Sequence, residues 1–438
     1  MKNIKLTISS LFLMLSILGY SQEKKTEFKK RVLETIEVDL LSSFYNQDGD
    51  NAAVSGGIGT EELTDITGTM IVSIPLNDDD VLTIDTGISA YTSASSSNVD
   101  PFDGDNPADP FVASSGASKT DLWFNFTGIY THSSDDRNEI WSANVSLSSE
   151  YDYFSIGAGG SFTKLFNEKN TEVTLNGSVY IDTWSDIYPK ELRAFAPGGD
   201  GLDAGLFFYN TITGNANYNP IYQQFDGMGR NSYAVGLNAS QILSKKLQGS
   251  MAIDVIQQKG LLSSPFQRVY FSDVADSFIE NFHLADSNEK LPDTRVKIAV
   301  GGRLNYYINE FLVLRTFYRY FTDDWGITSH TASVELPIKI TDKFTLYPSY
   351  RYYTQTGADY FAPYEGHLSS DEFYTSDYDL SEYNANQYGF GVRYTDIFTK
   401  AHIWKFGLKS IDLKFNQYDR TTGLKSSIVS GGIKFVMD

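Results

Sequence analysis

The sequence predicts an all-β protein, a transmembrane antiparallel up-and-down β-barrel of about 16 strands with long external loops and short periplasmic turns. Three observations lead to this prediction: alternation of apolar and polar residues between Thr294 and Gln355, a regular exchange of long and short connections, and an N-terminus typical of exported proteins. Alternation gives a strand two chemically different faces, and a membrane barrel turns the apolar face outward to lipid.

The stretch from Thr294 to Gln355 contains four alternating runs, each of about a dozen residues, which is the pattern of a β-strand. In the second run Leu312 and Leu314 share one face, while Arg315 and Arg319 lie on the other. A soluble sandwich would bury the aliphatic face in a core, whereas a membrane barrel would place the arginines in its lumen. Alternation alone leaves both folds open, so the connections and the N-terminus have to decide between them.

The connections favour the barrel. Short polar turns, such as 77–80 and 341–343, alternate along the chain with mostly long loops, of which 185–230 is the longest. Outer-membrane barrels sort their connections in this way, and a soluble sandwich has no reason to do so. An even number of strands then places both termini on the turn side. The predicted strands lie near residues 33–45, 64–77, 80–93, 119–132, 138–150, 152–166, 171–184, 230–243, 247–258, 294–308, 311–322, 327–340, 343–356, 385–398, 404–416 and 425–437.

Residues 1–21 are predicted to be a secretory signal peptide. Lys2 precedes the apolar run 8–18, and the small residue Ser21 lies at the predicted cleavage position. The apolar run is too short for a membrane span and is followed by charged residues. We therefore expect export, and we expect residues 22–438 to form a single outer-membrane barrel domain.

Composition agrees with this class and excludes others. Aromatic residues make up 14% of the chain, with 29 Tyr and 29 Phe, which suits the aromatic girdles of a barrel but also a large soluble β-protein. The chain has no Cys, so no disulfide or Cys-ligated metal holds it together. Its net charge of -20 would repel phosphate groups, which excludes nucleic acid as a partner.

Four segments carry a resemblance to a known family. They read SGGIGTEELTD (55–65), QKGLLSSPFQRVYFSD (258–273), RYFTDDWGITSHT (319–331) and PSYRYYTQTGADYF (348–361). Together they resemble an uncharacterised family of exported Gram-negative proteins known only as a domain of unknown function. The resemblance implies an outer-membrane β-barrel over nearly the whole mature chain, and it supplies no functional residues.

Charged residues on the predicted inward faces divide into two walls. Opposed walls would produce a transverse field that orients polar solutes and filters ions. The sequence therefore predicts a porin-like channel for small polar or anionic solutes. The acidic wall contains Glu37, Asp39, Asp85, Asp182 and Asp254, and the basic wall contains Arg295, Arg303, Arg315, Arg319, Arg351 and Arg393, continued by Lys297, Lys405, Lys409 and Lys434.

An alternative interpretation is open at this point, because acids and bases in a narrow lumen pair with each other. The barrel would then be plugged, and it would act as a structural or assembly subunit of an envelope complex. The long loop 185–230 includes the apolar stretch 206–225, which is predicted either to fold into the lumen or to contact an envelope protein partner. Outer-membrane lipid is the other expected partner.

Two motifs resemble ligand sites without their full pattern. Residues 46–51 and 100–110 have the composition of calcium loops but lack the required spacing, so we interpret them as solvated acidic loops. The glycines of 56–59 lack the Lys and the helix of a phosphate-binding loop. No metal and no cofactor is predicted.

An enzyme is not predicted either. His132, Ser134 and Asn138 have the residue types of an outer-membrane phospholipase site. A nucleophile needs a base within hydrogen-bond reach and a third group that orients the base. All three residues fall in a predicted periplasmic turn, away from the outer leaflet where such an enzyme works.

Overall fold

The computed structural model describes residues 31–92, 121–185 and 187–437, which form a closed antiparallel barrel of 16 strands and a set of long loops at one end. Each barrel strand pairs with its neighbours in the chain, and β1 pairs with β16 to close the barrel. The strands are β1 (Glu37–Asp48), β2 (Leu63–Pro75), β3 (Asp80–Tyr91), β4 (Asp121–Ser133), β5 (Glu139–Ser149), β6 (Tyr153–Phe166), β7 (Thr171–Trp184), β8 (Gly229–Ser244), β9 (Leu247–Gly260), β10 (Thr294–Asn309), β11 (Leu312–Asp323), β12 (Thr328–Glu335), β13 (Phe344–Gln355), β14 (Tyr383–Thr395), β15 (Phe406–Arg420) and β16 (Lys425–Met437). The predicted fold class is confirmed.

The strand positions differ from the predicted ones mainly at their ends. The first strand begins at Glu37 rather than at residue 33. The predicted strand 327–340 is interrupted after Glu335, and a short strand, Ile338–Lys339, continues it. Pro337 lies in this interruption and Pro348 lies on the neighbouring strand beside it. A proline has no N–H to donate to a sheet, so the break in β12 falls where β13 also lacks a donor.

The outer face of the barrel is apolar. Ile66, Val145 and Met251 are more than half exposed, at 60%, 62% and 68% of their surface. Along β5 the pairing register turns Val145 outward and the polar residues Asn144 and Ser146 inward. A ring of large exposed apolar side chains is stable against lipid and unfavourable against water. The barrel therefore spans a membrane through its strands.

Long connections collect at one end and turns at the other. Four long loops on the same side pack together into a compact unit, which we call the loop cap and define as residues 49–62, 187–228, 261–293 and 356–382. Only short helices occur in it, at Lys190–Arg193 and Gly205–Phe208, with 3-10 turns at Ala53–Ser55, Gly201–Asp203 and Tyr378–Leu380. Its small strands are Ile212–Gly214, Arg268–Val269, Ser277–Ile279, Phe282–His283 and Ser287–Asn288.

Among the described helices, none combines the length and the apolar character that crossing a bilayer requires.

The loop cap has its own hydrophobic core. Phe207 and Tyr218 from the loop after β7 pack against Ile279 and Leu284 from the loop after β9, and all four side chains are buried. The apolar stretch 206–225 therefore finds its burial partly inside the loop cap.

The glycines of 56–59 serve this packing. Gly56 and Gly57 have positive φ angles of 78° and 90°, which L side chains rarely adopt. A methyl group on Gly56 would lie 2.6 Å from the ring of Tyr270, and one on Gly57 would lie 2.7 Å from the carbonyl oxygen of Ser376. The first external loop thus lies directly on the loops after β9 and β13, and the glycines permit that close approach.

Candidate functional site

The inner surface of the barrel carries charged side chains in several layers. At the turn end Lys434 contacts Glu37 at 2.6 Å and Asp39 at 3.2 Å, and Lys409 contacts Glu37 at 3.1 Å. Lys405, by contrast, precedes β15 and lies in the exposed turn, over the ring of Trp404, so its predicted inward position is wrong. Glu37 and Asp39 of the predicted acidic wall are thus neutralised by two lysines that were predicted to continue the basic wall.

Above this layer an ion-pair network extends along the inner face from β11 to β15. Glu335 on β12 accepts a hydrogen bond from Arg315 at 3.0 Å and contacts Lys414 of β15 at 3.5 Å. Two strands, β13 and β14, lie between β12 and β15 in the barrel wall, so the Glu335–Lys414 contact is a chord through the interior. Arg393 donates to Asp412 at 2.5 Å beside it. This network borders a cavity of about 490 Å³ that also touches β2.

Sequence reasoning missed the acids of this network. Glu335 and Asp412 stand in the same alternating phase as the arginines of their neighbouring strands, and their position in that phase was the available signal. Two further pairs were missed near the loop end. Asp323 pairs with Arg295 at 2.5 Å, and Arg230 pairs with Asp182 at 2.7 Å. The basic wall therefore contains its own counter-charges.

Three arginines of the predicted basic wall form no ion pair with any described residue. Arg303 lies over the ring of Phe317, with 5.2 Å from the guanidinium carbon to the ring centroid. Arg303 and Arg319 are exposed to the lumen and border a cavity of about 400 Å³, whose other side carries Asp254. Arg351 is also exposed and lies nearer the loop end. A charged group of this kind is stable where water or a counter-ion solvates it.

Of the predicted acidic wall, Asp85 and Asp254 form no ion pair with the residues that the structure describes. Asp85 faces the lumen from β3, where its Oδ1 atom is buried without a hydrogen-bond partner among the described residues. Asp254 faces Arg303 and Arg319 across the cavity they share. The described inner surface thus combines paired and unpaired charges.

The loop cap borders the lumen at the external end. Gln267 and Asp377 of the loop cap line one cavity together with Arg351 and Gln387 of the barrel wall. Arg420 at the end of β15 donates to Asp379 of the loop cap at 2.7 Å. The loop cap is therefore anchored to the barrel at the mouth of the lumen.

Charged groups are also buried inside the loop cap. Arg268 and Glu191 form an ion pair at 2.6 Å, and both side chains are almost fully buried. Arg268 also donates to the carbonyl oxygen of Val54 at 3.2 Å. The pair thus connects three loops that are distant in sequence, the first through Val54, the loop after β7 through Glu191 and the loop after β9 through Arg268.

A second buried carboxyl, Glu289, has an unusual pKa. Burial raises the pKa of Glu289 to about 8, helped by the nearby Asp377, although Thr375 and the backbone N–H of Ser264 donate to the carboxyl. The folded loop cap therefore holds a proton on Glu289 over a range in which the unfolded chain would have released it.

The stability of the loop cap is expected to fall as the pH rises from about 5 to 8. In this window Glu289 binds a proton in the folded state that it lacks in the unfolded state, so its contribution to the free energy of unfolding decreases, by at most about 1.4 kcal/mol per pH unit. Hydrogen–deuterium exchange of loop-cap amides, corrected for the pH dependence of the intrinsic exchange rates, measures this change in loop-cap stability. Glu289→Gln should remove most of the pH dependence between about pH 6 and 8, above the raised pKa values of Asp286 and Asp377, and the exposed Glu365→Gln should keep it. A Glu289→Gln protein with unchanged dependence would contradict the assignment.

The other candidate sites do not assemble in the described residues. His132 pairs with Asp80 at 2.6 Å, and Ser134 donates to Asp136, so the two are not placed as base and nucleophile. Within residues 31–92, 121–185 and 187–437 no group of three or more acidic or His side chains is placed to hold a metal ion. The acidic run 100–110 and the predicted signal peptide 1–21 lie outside the described residues.

Comparison with known proteins assigns the family. The family model described as "Protein of unknown function (DUF3570)" matches residues 4–437, nearly the whole chain. The chain belongs to this family. The predicted resemblance is thereby confirmed. No curated protein matches the sequence of this DUF3570 chain.

Several solved membrane proteins are similar to the DUF3570 chain at low identity. A bacterial polysaccharide outer membrane secretin is 10% identical, with a TM-score of 0.45, over 93% of this chain and 100% of its own. The outer membrane protein opdK from Pseudomonas aeruginosa is 7% identical, with a TM-score of 0.38, over 92% and 99%. A BenF-like porin from Pseudomonas fluorescens Pf-5 is 8% identical, with a TM-score of 0.39, over 92% and 100%.

Proposed function

We propose that this DUF3570 chain is an outer-membrane, porin-like channel that passes small polar solutes, exported by the signal peptide predicted at residues 1–21. The barrel wall separates lipid from a polar interior, and the solute moves along the inner charged layers. In this role the arginines of the predicted basic wall and the acids of the opposite wall act as weak, reversible contacts. Conduction needs contacts of that kind, because a tightly bound solute would not leave.

The observation that supports this proposal most is the exposed, unpaired state of Arg303, Arg319 and Arg351. A dry, plugged interior would leave such charges desolvated, at a cost of several kcal/mol for each ion. Residues of the surrounding strands leave cavities beside Arg319 and Arg351 of about 400 and 680 Å³. Hydrated arginines beside open volume favour a water-filled lumen.

The charge arrangement favours small polar solutes over strongly anionic ones. Arg315 and Arg393 have carboxylate partners within 3.0 Å, and Arg303 and Arg319 share their cavity with Asp254. A solute in this lumen meets both signs of charge at each layer. Such a field orients dipoles and zwitterions and discriminates only weakly by net charge.

The protein is expected to give discrete conductance steps in planar bilayers, and Arg319→Ala and Arg351→Ala are expected to shift its reversal potential toward cation preference. Both changes remove fixed positive charge from the lumen. Lys164→Ala is a matched control, because Lys164 lies on the outer face of β6, in the same alternating phase as the exposed Phe162, and pairs there with Glu139. Absence of conductance in bilayers that are shown to contain the inserted protein would contradict the proposed channel.

A second candidate is a non-conducting barrel that serves as an assembly subunit with an envelope protein partner. The loop cap at the lumen mouth favours it, since packed loops form a surface for a partner and obstruct passage. Crosslinking in intact membranes, followed by mass spectrometry, distinguishes the assembly subunit from the channel. Discrete partners crosslinked to loop-cap residues, together with silent bilayers, support assembly, whereas links within the chain alone support the channel.

A further inference from the structure

The external mouth of the lumen contains a cavity of about 680 Å³ with walls of two origins. One wall is the inner face of β1 and β13 to β16, and the other is the loop cap, through residues such as Glu61, Gln267 and Asp377. Its volume falls in the range of small-molecule sites, roughly 300–1,000 Å³. A solute that moved between the outside and the lumen on this side of the barrel would pass it.

The barrel side of this cavity is aromatic. Tyr45, Tyr383 and Tyr418 line it from three strands. Tyr383 is held in place on two sides, by the ring of Tyr353 at 5.6 Å between centroids and by the guanidinium of Arg420 at 4.2 Å from its centroid. Tyrosine rings offer an apolar face and a hydroxyl together, so they contact ligands that also have both kinds of surface.

Planar polar groups form much of the remaining lining, and Arg420 is the most buried of its charged side chains. Arg420 is 8% exposed, and it donates to Asp379 at 2.7 Å and to Thr422 at 2.7 Å. Its Nη2 atom has no hydrogen-bond partner among the described residues. A buried guanidinium N–H without a partner costs free energy unless a ligand or ordered water accepts from it. This orphaned donor at the cavity is an observation independent of the cavity's shape.

The charges of the cavity exclude ligands of strong charge. Arg351 and Arg420 oppose a cation, and Glu61, Asp377 and Asp379 oppose an anion. Burial raises the pKa of Glu61, and it raises that of Asp377 to about 6, so these carboxyls ionise less readily than usual, and their oxygens accept hydrogen bonds from ligand hydroxyls. The site therefore prefers a neutral ligand with many hydroxyl groups.

We propose that this mouth cavity is a binding site for a neutral saccharide, whose ring faces stack on the tyrosines and whose hydroxyls pair with the carboxyl, amide and guanidinium groups. The inference rests on the proposed channel function, since it names the solute class that the channel takes up. The saccharide binds first beneath the loop cap and then meets the weaker contacts of the lumen.

Binding is measured by calorimetry on the full-length protein in detergent with three matched pyranose probes, namely glucose, the anion glucuronate and the cation of glucosamine, followed by maltose and maltotriose. We expect neutral sugars to bind and the two ions to bind at least about tenfold more weakly. Tighter binding of glucuronate than of glucose would overturn the neutral assignment, and so would tighter binding of the glucosamine cation. Absence of binding by every probe would overturn the site.

Two variants distinguish sugar binding in the mouth cavity from nonspecific sugar binding elsewhere on the protein. Tyr418→Ala removes an aromatic surface of the cavity and is expected to weaken sugar binding by about tenfold. Tyr388→Ala is the matched control, because Tyr388 is 57% exposed on the outer face of the neighbouring strand, and its affinity should stay at the wild-type level. Equal losses in the two variants, or none in Tyr418→Ala, would overturn the placement of the site.

The same sugars are then added to bilayers containing the protein. Block or current noise in the wild type, reduced in Tyr418→Ala, supports both the site and the channel. A conducting protein that binds no sugar overturns the saccharide site and leaves the channel in place. A silent protein that binds sugar overturns the channel and supports the site.

Discussion

Replacing Arg268 with Met is expected to destabilise the loop cap by about 3–5 kcal/mol, because removal of one partner leaves Glu191 as an uncompensated buried charge. The substitution also removes the hydrogen bond to the carbonyl oxygen of Val54, which links the first external loop to the others. Opening of the loop cap should therefore involve 49–62 together with 261–293, while the barrel strands stay protected.

Hydrogen–deuterium exchange followed by peptide mass spectrometry measures this, with the loop cap and the barrel read out in the same sample. Arg137→Met is a matched control, since Arg137 pairs with Asp79 at the turn end, far from the loop cap. The double variant Arg268→Met with Glu191→Leu should recover part of the loss, because replacing both members of a buried pair by apolar groups is close to neutral. Unchanged loop-cap exchange in Arg268→Met would contradict the role assigned to the pair.

Val145→Arg is expected to reduce the folding stability of the barrel in lipid by about 2–4 kcal/mol, because this residue lies on the outer face near the middle of β5. A charged side chain at that depth faces the hydrocarbon of the bilayer. The neighbouring Ser146 points into the lumen, so Ser146→Arg places the same side chain one residue further along in a polar setting.

The comparison uses urea titration of protein folded into lipid vesicles, followed by the gel shift of the folded barrel. The two variants add the same side chain to the same strand at nearly the same depth. The difference between their losses of folding stability therefore shows which residue faces lipid and which faces the lumen. A larger loss for Ser146→Arg than for Val145→Arg would reverse the assignment of faces, and with it the membrane placement of the barrel.

The barrel could be predicted from the sequence because its rules are local. A strand such as β11 shows its two faces by a period of two residues, and its ends by turn residues next to it. The charges of the lumen were predictable by the same period. The acids Glu335 and Asp412 occupy that phase as well, directly opposite Arg315 and Arg393, so the same period places them on the inner face.

The loop cap could not be predicted, since no period connects its contacts. The Arg268–Glu191 pair joins residues 77 positions apart, and Arg268 reaches Val54 across 214 positions. Such contacts follow from the folded barrel, which brings the ends of distant strands side by side. The segments 55–65 and 258–273, which carry part of the family resemblance, meet there through Gly56 and Tyr270.

In the channel proposed above, the Glu335–Lys414 chord has a consequence for the size limit of passage. Strand number fixes the circumference of the wall, and a side-chain bridge inside the wall narrows the space that the strands enclose. Lengthening, shortening or neutralising one of two residues would alter the size limit for passage without any rearrangement of the backbone. Relatives with the same strand count could in this way differ widely in what they let through.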